Sequence, residues 1–151
     1  MNAAAFRPPK GFKPVRDSGA FMELVGPLYC RREAAGYCFG FQAAERHTNP
    51  RGVVHGGMTM TVIDQVLGAL VFHGIGRKPC ATVSLTCDFI SFATPGDWLE
   101  ARTRMRRRGR SLVFADGEIT CGDRLVMTAS GIWKVLGQDL HGVGGVDRRP
   151  R

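Results

Sequence analysis

Nowhere among the 151 residues is there an uncharged apolar run of about 18, the length a membrane-spanning helix requires. The opening stretch MNAAAFRPPKGFKP also lacks the apolar segment of a secretion signal, so a soluble cytoplasmic protein with no membrane partner is expected. The five cysteines, Cys30, Cys38, Cys80, Cys87 and Cys121, are scattered and contain no C-x-x-C pair, which argues against a disulfide framework or a redox motif. Some sit in strand-like alternation, as in Val83-Ser84-Leu85-Thr86-Cys87, and read as small buried hydrophobes of a reducing compartment. His and Cys never cluster at ligand spacing, so no metal is expected.

Acidic charge is also in short supply, with 13 Asp and Glu against 21 Lys and Arg, a formal net charge of +8. The imbalance is local. Arg102, Arg104, Arg106, Arg107, Arg108 and Arg110 supply six positive charges, and Arg148, Arg149 and Arg151 three more; taking those nine from 21 leaves 12 basic residues against 13 acidic. A neutral body with one basic cluster suits a small polyanion. Aromatics are not interleaved with these arginines and there is no zinc-finger pattern, so nucleic acid is not the expected partner.

What is present is enough for one domain with a core. Residues 1–17 read as an unpatterned extension draped on the surface or disordered, 18–136 as the domain, and 137–151, with Gly-Val-Gly-Gly and terminal arginines, as a flexible tail. Ser18 is placed to cap a short helix through Phe21, Met22, Leu24 and Val25 that Pro27 ends. Strands are expected over 28–33 and 37–43, turning at Gly36. A polar loop through Glu45, His47, Asn49 and Pro50 leads to His55-Gly56-Gly57, and residues 58–72 then form an apolar helix closed by Gly74 and Gly76. Apolar residues cover nearly every face, as in a buried helix. Four strands follow, over 81–92, 98–108, 111–121 and 125–135. In the second of them Leu99, Ala101, Thr103 and Met105 alternate with Glu100, Arg102, Arg104 and Arg106, giving one buried and one solvated face. The outline is α+β: one long buried helix wrapped by a curved antiparallel sheet.

Asp64 is the anomaly of that helix, the only ionisable side chain between His55 and His73. A carboxylate on a buried helix costs several kcal/mol unless it is partnered. It stands either on a solvent-facing stripe, or tied to a neighbouring strand, or in a functional role. Gly56-Gly57 ahead of the helix allows close backbone approach, and the first helical N–H groups have no internal acceptor. Such an end holds a developing oxyanion. A donor and a carboxylate on one helix suit acyl transfer from a thioester.

The stretch Asn49-Pro50-Arg51-Gly52-Val53-Val54-His55-Gly56-Gly57, continuing through Thr59, Ile63-Asp64 and Gly68-Ala69, resembles the signature of PaaI-like hotdog thioesterases. The similarity spans about residues 20–136, from Phe21-Met22-Glu23-Leu24 and Gly26-Pro27-Leu28-Tyr29 to the last strand. The resemblance implies a hotdog fold assembled as a dimer or tetramer, with the homotetramer expected. It also implies hydrolysis of an aryl-CoA or a short- to medium-chain acyl-CoA to free acid and CoA, without a cofactor. By the same resemblance the Gly56 N–H polarises the carbonyl, with Gly57 beside it in substrate binding, and Asp64 is nucleophile or general base. Asn49 positions substrate or water, Ser84 orients the attacking water, and His55 shapes the loop and assists carbonyl binding. Asp64 would meet Gly56 and Asn49 across a dimer interface. Arg110 and Ser111, at the strand–turn–strand junction, would contact the CoA phosphates. Asn49 could instead cap its own turn and Ser84 be an ordinary strand residue, while His47, His73 and His141 read as plain loop histidines. Two rival functions are a hotdog hydratase or dehydratase, whose Asp-x-Asn-x-x-His pattern is missing, and a non-catalytic acyl-CoA-binding protein.

Overall fold

The computed structural model describes residues 6–137. In chain order the elements are Lys13–Pro14 (β1), Ala20–Val25 (α1), Leu28–Glu33 (β2), Gly36–Gln42 (β3), a 3₁₀ turn at Glu45–His47, Gly56–Gly74 (α2), Cys80–Phe89 (β4), Trp98–Arg108 (β5), Leu112–Cys121 (β6) and Arg124–Val135 (β7). The strands form one antiparallel sheet in the order β1-β2-β3-β5-β6-β7-β4, and α2 lies across β4, β5, β6 and β7. This is the hotdog layout that the sequence resembles.

The core is made where α2 meets the sheet. Ile63, Val66, Leu67 and Val71 are fully buried and pack with Leu99, Val113, Ile119, Met127 and Trp133. Gly117 on β6 permits the approach: a Cβ there would lie 2.8 Å from the Arg102 carbonyl and 3.2 Å from Ile63 Cδ1. The period of two in β5 holds as read, with Leu99 and Ala101 buried and Arg104 and Arg106 exposed. On the solvated side Arg102 bonds both carboxylate oxygens of Glu33 and one of Glu100, bridging β5 to β2 across β3.

Several local expectations shift. The cap of α1 is Gly19 at φ 89, with no side-chain cap bond, because Ser18 lies one residue too early. Within the extension, β1 pairs with β2 and Phe12 is buried against Trp98 and the Arg31 guanidinium. Helix α2 is not buried all round: Met60 and Phe72 are each 37% exposed, and Thr61, Asp64, Gln65 and Gly68 are half-buried along the same side. The tail expected over 137–151 lies outside the described residues except for Gly137.

Candidate active site

Helix α2 begins with its first donor free. The cap residue His55 turns its Nδ1 back to accept the Gly57 N–H at 2.8 Å, which occupies Gly57 and leaves the Gly56 N–H without an intrahelical acceptor. Next to it, Val54, Gly56, Thr59, Phe89, Ile90 and Phe92 line a cleft of about 480 Å³. The Phe89 ring lies so close that a Cβ on Gly56 would come within 2.8 Å of it, so any side chain here would have to push the ring aside. Residues 90–92, expected to continue β4, instead leave the strand: Ile90 and Ser91 both donate to the Val126 carbonyl, and the segment curls past the helix start to form the cleft. An unpaired N–H at a helix N-terminus facing apolar walls is an environment in which a carbonyl oxygen gains charge at low cost.

Asp64 stands eight residues further along α2, roughly 12 Å at 1.5 Å per residue. It is half-buried, not buried, and its Oδ1 accepts a hydrogen bond from the Thr82 hydroxyl at 2.9 Å. The carboxylate is therefore both on the open stripe of the helix and tied to a neighbouring strand. The tie comes from an unanticipated residue. Strand β4 carries a register shift between Thr82 and Ser84, with Thr82 opposite Trp133 and Ser84 opposite Ile132. Trp133 is buried beneath α2, so Thr82 faces the helix. Ser84 falls in the series Thr86–Ser130 and Asp88–Thr128, on the face away from α2. An attacking water held by Ser84 has no support in this arrangement, and with it goes the particular reason for preferring a general-base role over a nucleophilic one for Asp64.

Asn49 holds its own loop. Its Oδ1 accepts the Arg51 N–H at 2.9 Å, its N–H reaches the Val53 carbonyl, and its carbonyl takes the Gly52 N–H. The loop is moored by His47, which is buried at 4% exposure and is not a plain loop histidine. Its Nδ1 accepts the Ala44 N–H at 2.9 Å, so the ring proton sits on Nε2 and is donated to the Val25 carbonyl at 2.8 Å. Its own carbonyl receives the His55 N–H. Burial pushes the His47 pKa below its ordinary 6.5, outweighing the Val25 carbonyl that favours the cation, and neighbouring Arg46 pushes the same way. With the folded pKa below the unfolded one, the unfolded chain takes up the proton first, so stability is intact above about pH 6.5 and declines as pH falls from there. The melting temperature is expected to drop between pH 7.5 and 5.5 in the wild type and to lie flat over that window in His47→Gln. An unchanged slope in the variant would remove His47 as the cause. The Glu33 carboxylate, held at about 2 by hydrogen bonds from Arg102 and Arg31, acts only below its ordinary 4.5 and does not enter that window.

The basic hairpin divides. Arg102 is held by Glu33 and Glu100, Arg104 and Arg106 both bond Asp116, and Arg108 donates to the Gly74 carbonyl at 2.9 Å. Arg107 and Arg110 are exposed with no side-chain partner among the described residues, beside an exposed Ser111. The Arg108 contact places this tip at the C-terminal end of α2, roughly 27 Å from Gly56 within one chain. His73, also exposed, is at that end; His141 lies outside the described residues.

Among the described residues the one trio of metal-ligand type is Glu33, Cys38 and Glu100. Arg31 and Arg102 already neutralise its carboxylates, and burial beside Glu100 pushes the Cys38 thiol up to about 12, so it stays protonated. Another hollow of about 480 Å³, lined by Asp88, Arg102, Arg104, Asp116 and Glu118, opens on the sheet face away from α2 and reaches neither Gly56 nor Asp64.

Residues 51–128 match the family model of the thioesterase superfamily. A candidate esterase of Pseudomonas aeruginosa is 38% identical over 127 residues, covering 83% of this chain and 95% of that protein. Mouse acyl-coenzyme A thioesterase 13 is 28% identical over 76 residues, 50% of this chain and 54% of that protein. The crystal structure of a candidate thioesterase of Ralstonia eutropha, described as phenylacetic acid degradation-related, superposes with a TM-score of 0.70 at 28% identity, covering 78% of this chain and 91% of that one.

Proposed function

The chain belongs to the thioesterase superfamily, as a PaaI-like hotdog thioester hydrolase, and we propose that its substrate is an acyl-CoA, which it cleaves to free acid and CoA. The observation that carries this reading is the Gly56 N–H, free of an intrahelical acceptor at the edge of an apolar cleft, with a carboxylate two turns further along the same helix. The N–H polarises the thioester carbonyl, and Asp64 drives the attack on it, by adding to the carbon or by deprotonating the water that adds. Similarity to an acyl-coenzyme A thioesterase supports the CoA portion of the substrate. The acyl group, aryl or short to medium chain, lies in the cleft. No metal or redox cofactor takes part, and the five unpaired thiols suit a cytoplasmic setting.

Roughly 12 Å of helix between Gly56 and Asp64 is too far for both to act on one carbonyl, so two copies share each site. The sheet supplies the means. Strand β4 is an edge strand, and beside it Val83, Phe89, Ile90 and Phe92 are 55–67% exposed. An apolar edge of this length is a template for pairing with a second copy. The dimer is the unit the chemistry requires; a homotetramer would be built from two such dimers. Pairing two chains head to tail also brings the basic tip of one toward the helix start of the other.

We expect CoA thiol release from benzoyl-CoA, phenylacetyl-CoA or hexanoyl-CoA. A hydratase would leave the thioester intact, and a binding protein would release nothing. In the same assay Arg110→Ala should raise KM for the acyl-CoA about fivefold, the worth of a solvated contact of roughly 1 kcal/mol, with kcat unchanged. KM for the corresponding acyl-pantetheine, which lacks the nucleotide, should not move. An equal rise for both would show that Arg110 does not read the phosphates.

A further inference from the structure

We propose that Arg124, at the turn between β6 and β7, is the positioning residue for one wall of the cleft and so sets how the protein discriminates between acyl groups. The inference rests on the reading of the cleft beside Gly56 as the seat of the acyl group. Three observations carry it. Residues 90–93, which lie outside any strand, supply that wall, and Arg124 itself does not line the cleft. From outside the cleft the Arg124 guanidinium grips the loop at three points. Its Nη1 donates to the Ser91 hydroxyl at 3.1 Å and to the Phe92 carbonyl, and its Nη2 donates to Asp97 Oδ2 at 3.3 Å. The middle of the wall has little else to hold it. Ile90 and Ser91 are tied by their N–H groups to the Val126 carbonyl, the Ala93 carbonyl accepts the Val54 N–H, and Gly96 and Asp97 pair with Ala43. Phe92, between them, takes part in no backbone pair among the described residues, and its side chain is 67% exposed.

A planar guanidinium with five N–H donors can hold a hydroxyl, a carbonyl and a carboxylate together, whereas the ammonium of lysine is one point on a flexible stem. Each partner is oriented in turn. Ser91 Oγ donates to the Leu125 carbonyl at 2.6 Å and so accepts from Arg124, and Asp97 Oδ2 also accepts the Thr94 N–H at 2.9 Å. The clamp thereby joins both ends of the loop to the start of β7 and fixes the contour of Ile90 and Phe92, the apolar surface on which an acyl group rests. A wall already fixed needs no ordering when substrate binds, and the benefit grows with the part of the acyl group that reaches it. The start of α2 does not depend on the clamp, since the His55 N–H is moored to the His47 carbonyl and the Asn49 turn closes on itself. Arg124 therefore acts on the choice of acyl group and leaves the polarisation of the carbonyl alone. Its side chain is 45% exposed, so its ion pair with Asp97 adds little to global stability.

The test follows thiol release by the full-length protein from acetyl-CoA, hexanoyl-CoA and phenylacetyl-CoA, with butanoyl-CoA replacing acetyl-CoA if the shortest ester is too slow to measure. In Arg124→Ala the ratio of kcat/KM for hexanoyl-CoA to that for acetyl-CoA should fall about tenfold, and the phenylacetyl ratio likewise, with acetyl-CoA itself within about twofold of wild type. Amide hydrogen exchange over residues 90–97 should quicken about tenfold while that of α2 is unchanged. Arg124→Gln replaces the alanine variant if that one fails to fold. Arg124→Lys should resemble Arg124→Ala, and Asp123→Ala, one residue away at the same turn, should resemble wild type in both measurements. An equal loss on every ester would make Arg124 a residue of the fold. An unchanged ratio would show that the wall selects without it, and a fallen ratio without faster exchange would mean that Arg124 meets the acyl group itself. Each of these overturns the proposal and leaves the acyl-CoA reading standing. A wild type that releases no thiol from any of these esters would remove that reading, and this role of Arg124 with it.

Discussion

Asp64→Asn is expected to lose at least about a hundredfold in kcat while the protein folds and melts as before, the range over which a positioned acid–base or nucleophilic group acts. The amide matches the carboxylate in shape, and its carbonyl oxygen can still accept the Thr82 hydroxyl. What disappears is the negative charge and the lone pair that either attacks the thioester or takes a proton from water. The side chain is half-buried on the open side of α2, away from Ile63, Val66 and Leu67, so the core does not feel the change. KM should stay within a few-fold, because the proposed reading has substrate held by the Gly56 end of the cleft and by the basic tip, which the change leaves alone. Turnover near wild type at matched melting temperature would show that another group performs the chemistry.

The fold was legible because its periods are strong and local. Leu99 and Ala101 alternating with Glu100 and Arg102 identify both the strand and its buried face, and the same alternation runs unbroken as far as Met105, after which a bulge before Arg107 intervenes. The apolar run after Gly56-Gly57 located α2 to within two residues at either end, since the glycines that stop the pattern lie inside the helix and add no side chains to it. Order in the sheet was not legible. That β4 pairs with β7 and ends at an edge depends on contacts 38 to 55 residues apart, from Phe89–Met127 to Cys80–Val135, and β1 exists only because β2 offers it a partner. The site shows the same division. Gly56, His55 and Asp64 stand on one helix and could be placed by counting. Ser84 was assigned its role by resemblance, and one extra residue at Val83, with no mark in the sequence, turns it to the other face and brings Thr82 to Asp64. His47 sits in a stretch that reads as polar loop, Glu45-Arg46-His47, and its burial depends on the distant Val25 carbonyl.

Two inactive variants are expected to regain activity when mixed. Gly56→Val puts a branched side chain where even a Cβ would meet the Phe89 ring at 2.8 Å, filling the cleft beside the proposed oxyanion donor. It leaves Asp64 and Thr82 untouched, roughly 12 Å along the helix. Displacing a thioester by an ångström or more costs on the order of a hundredfold, so Gly56→Val homodimers should be nearly as inactive as Asp64→Asn homodimers. If each site joins Gly56 of one copy to Asp64 of another, a mixed dimer has one site carrying both changes and one carrying neither. Random reassortment of equal amounts makes half of the dimers mixed, so activity should recover to about a quarter of the wild-type level. The recovery must appear with the kinetics of subunit exchange, be accelerated by mild urea during mixing, and be absent when subunits are cross-linked before mixing. Were each chain to carry a complete site, every site in every mixed dimer would still hold one of the two defects. Mixing would then recover nothing, and the shared-site reading would fall even if Asp64→Asn alone behaves as expected.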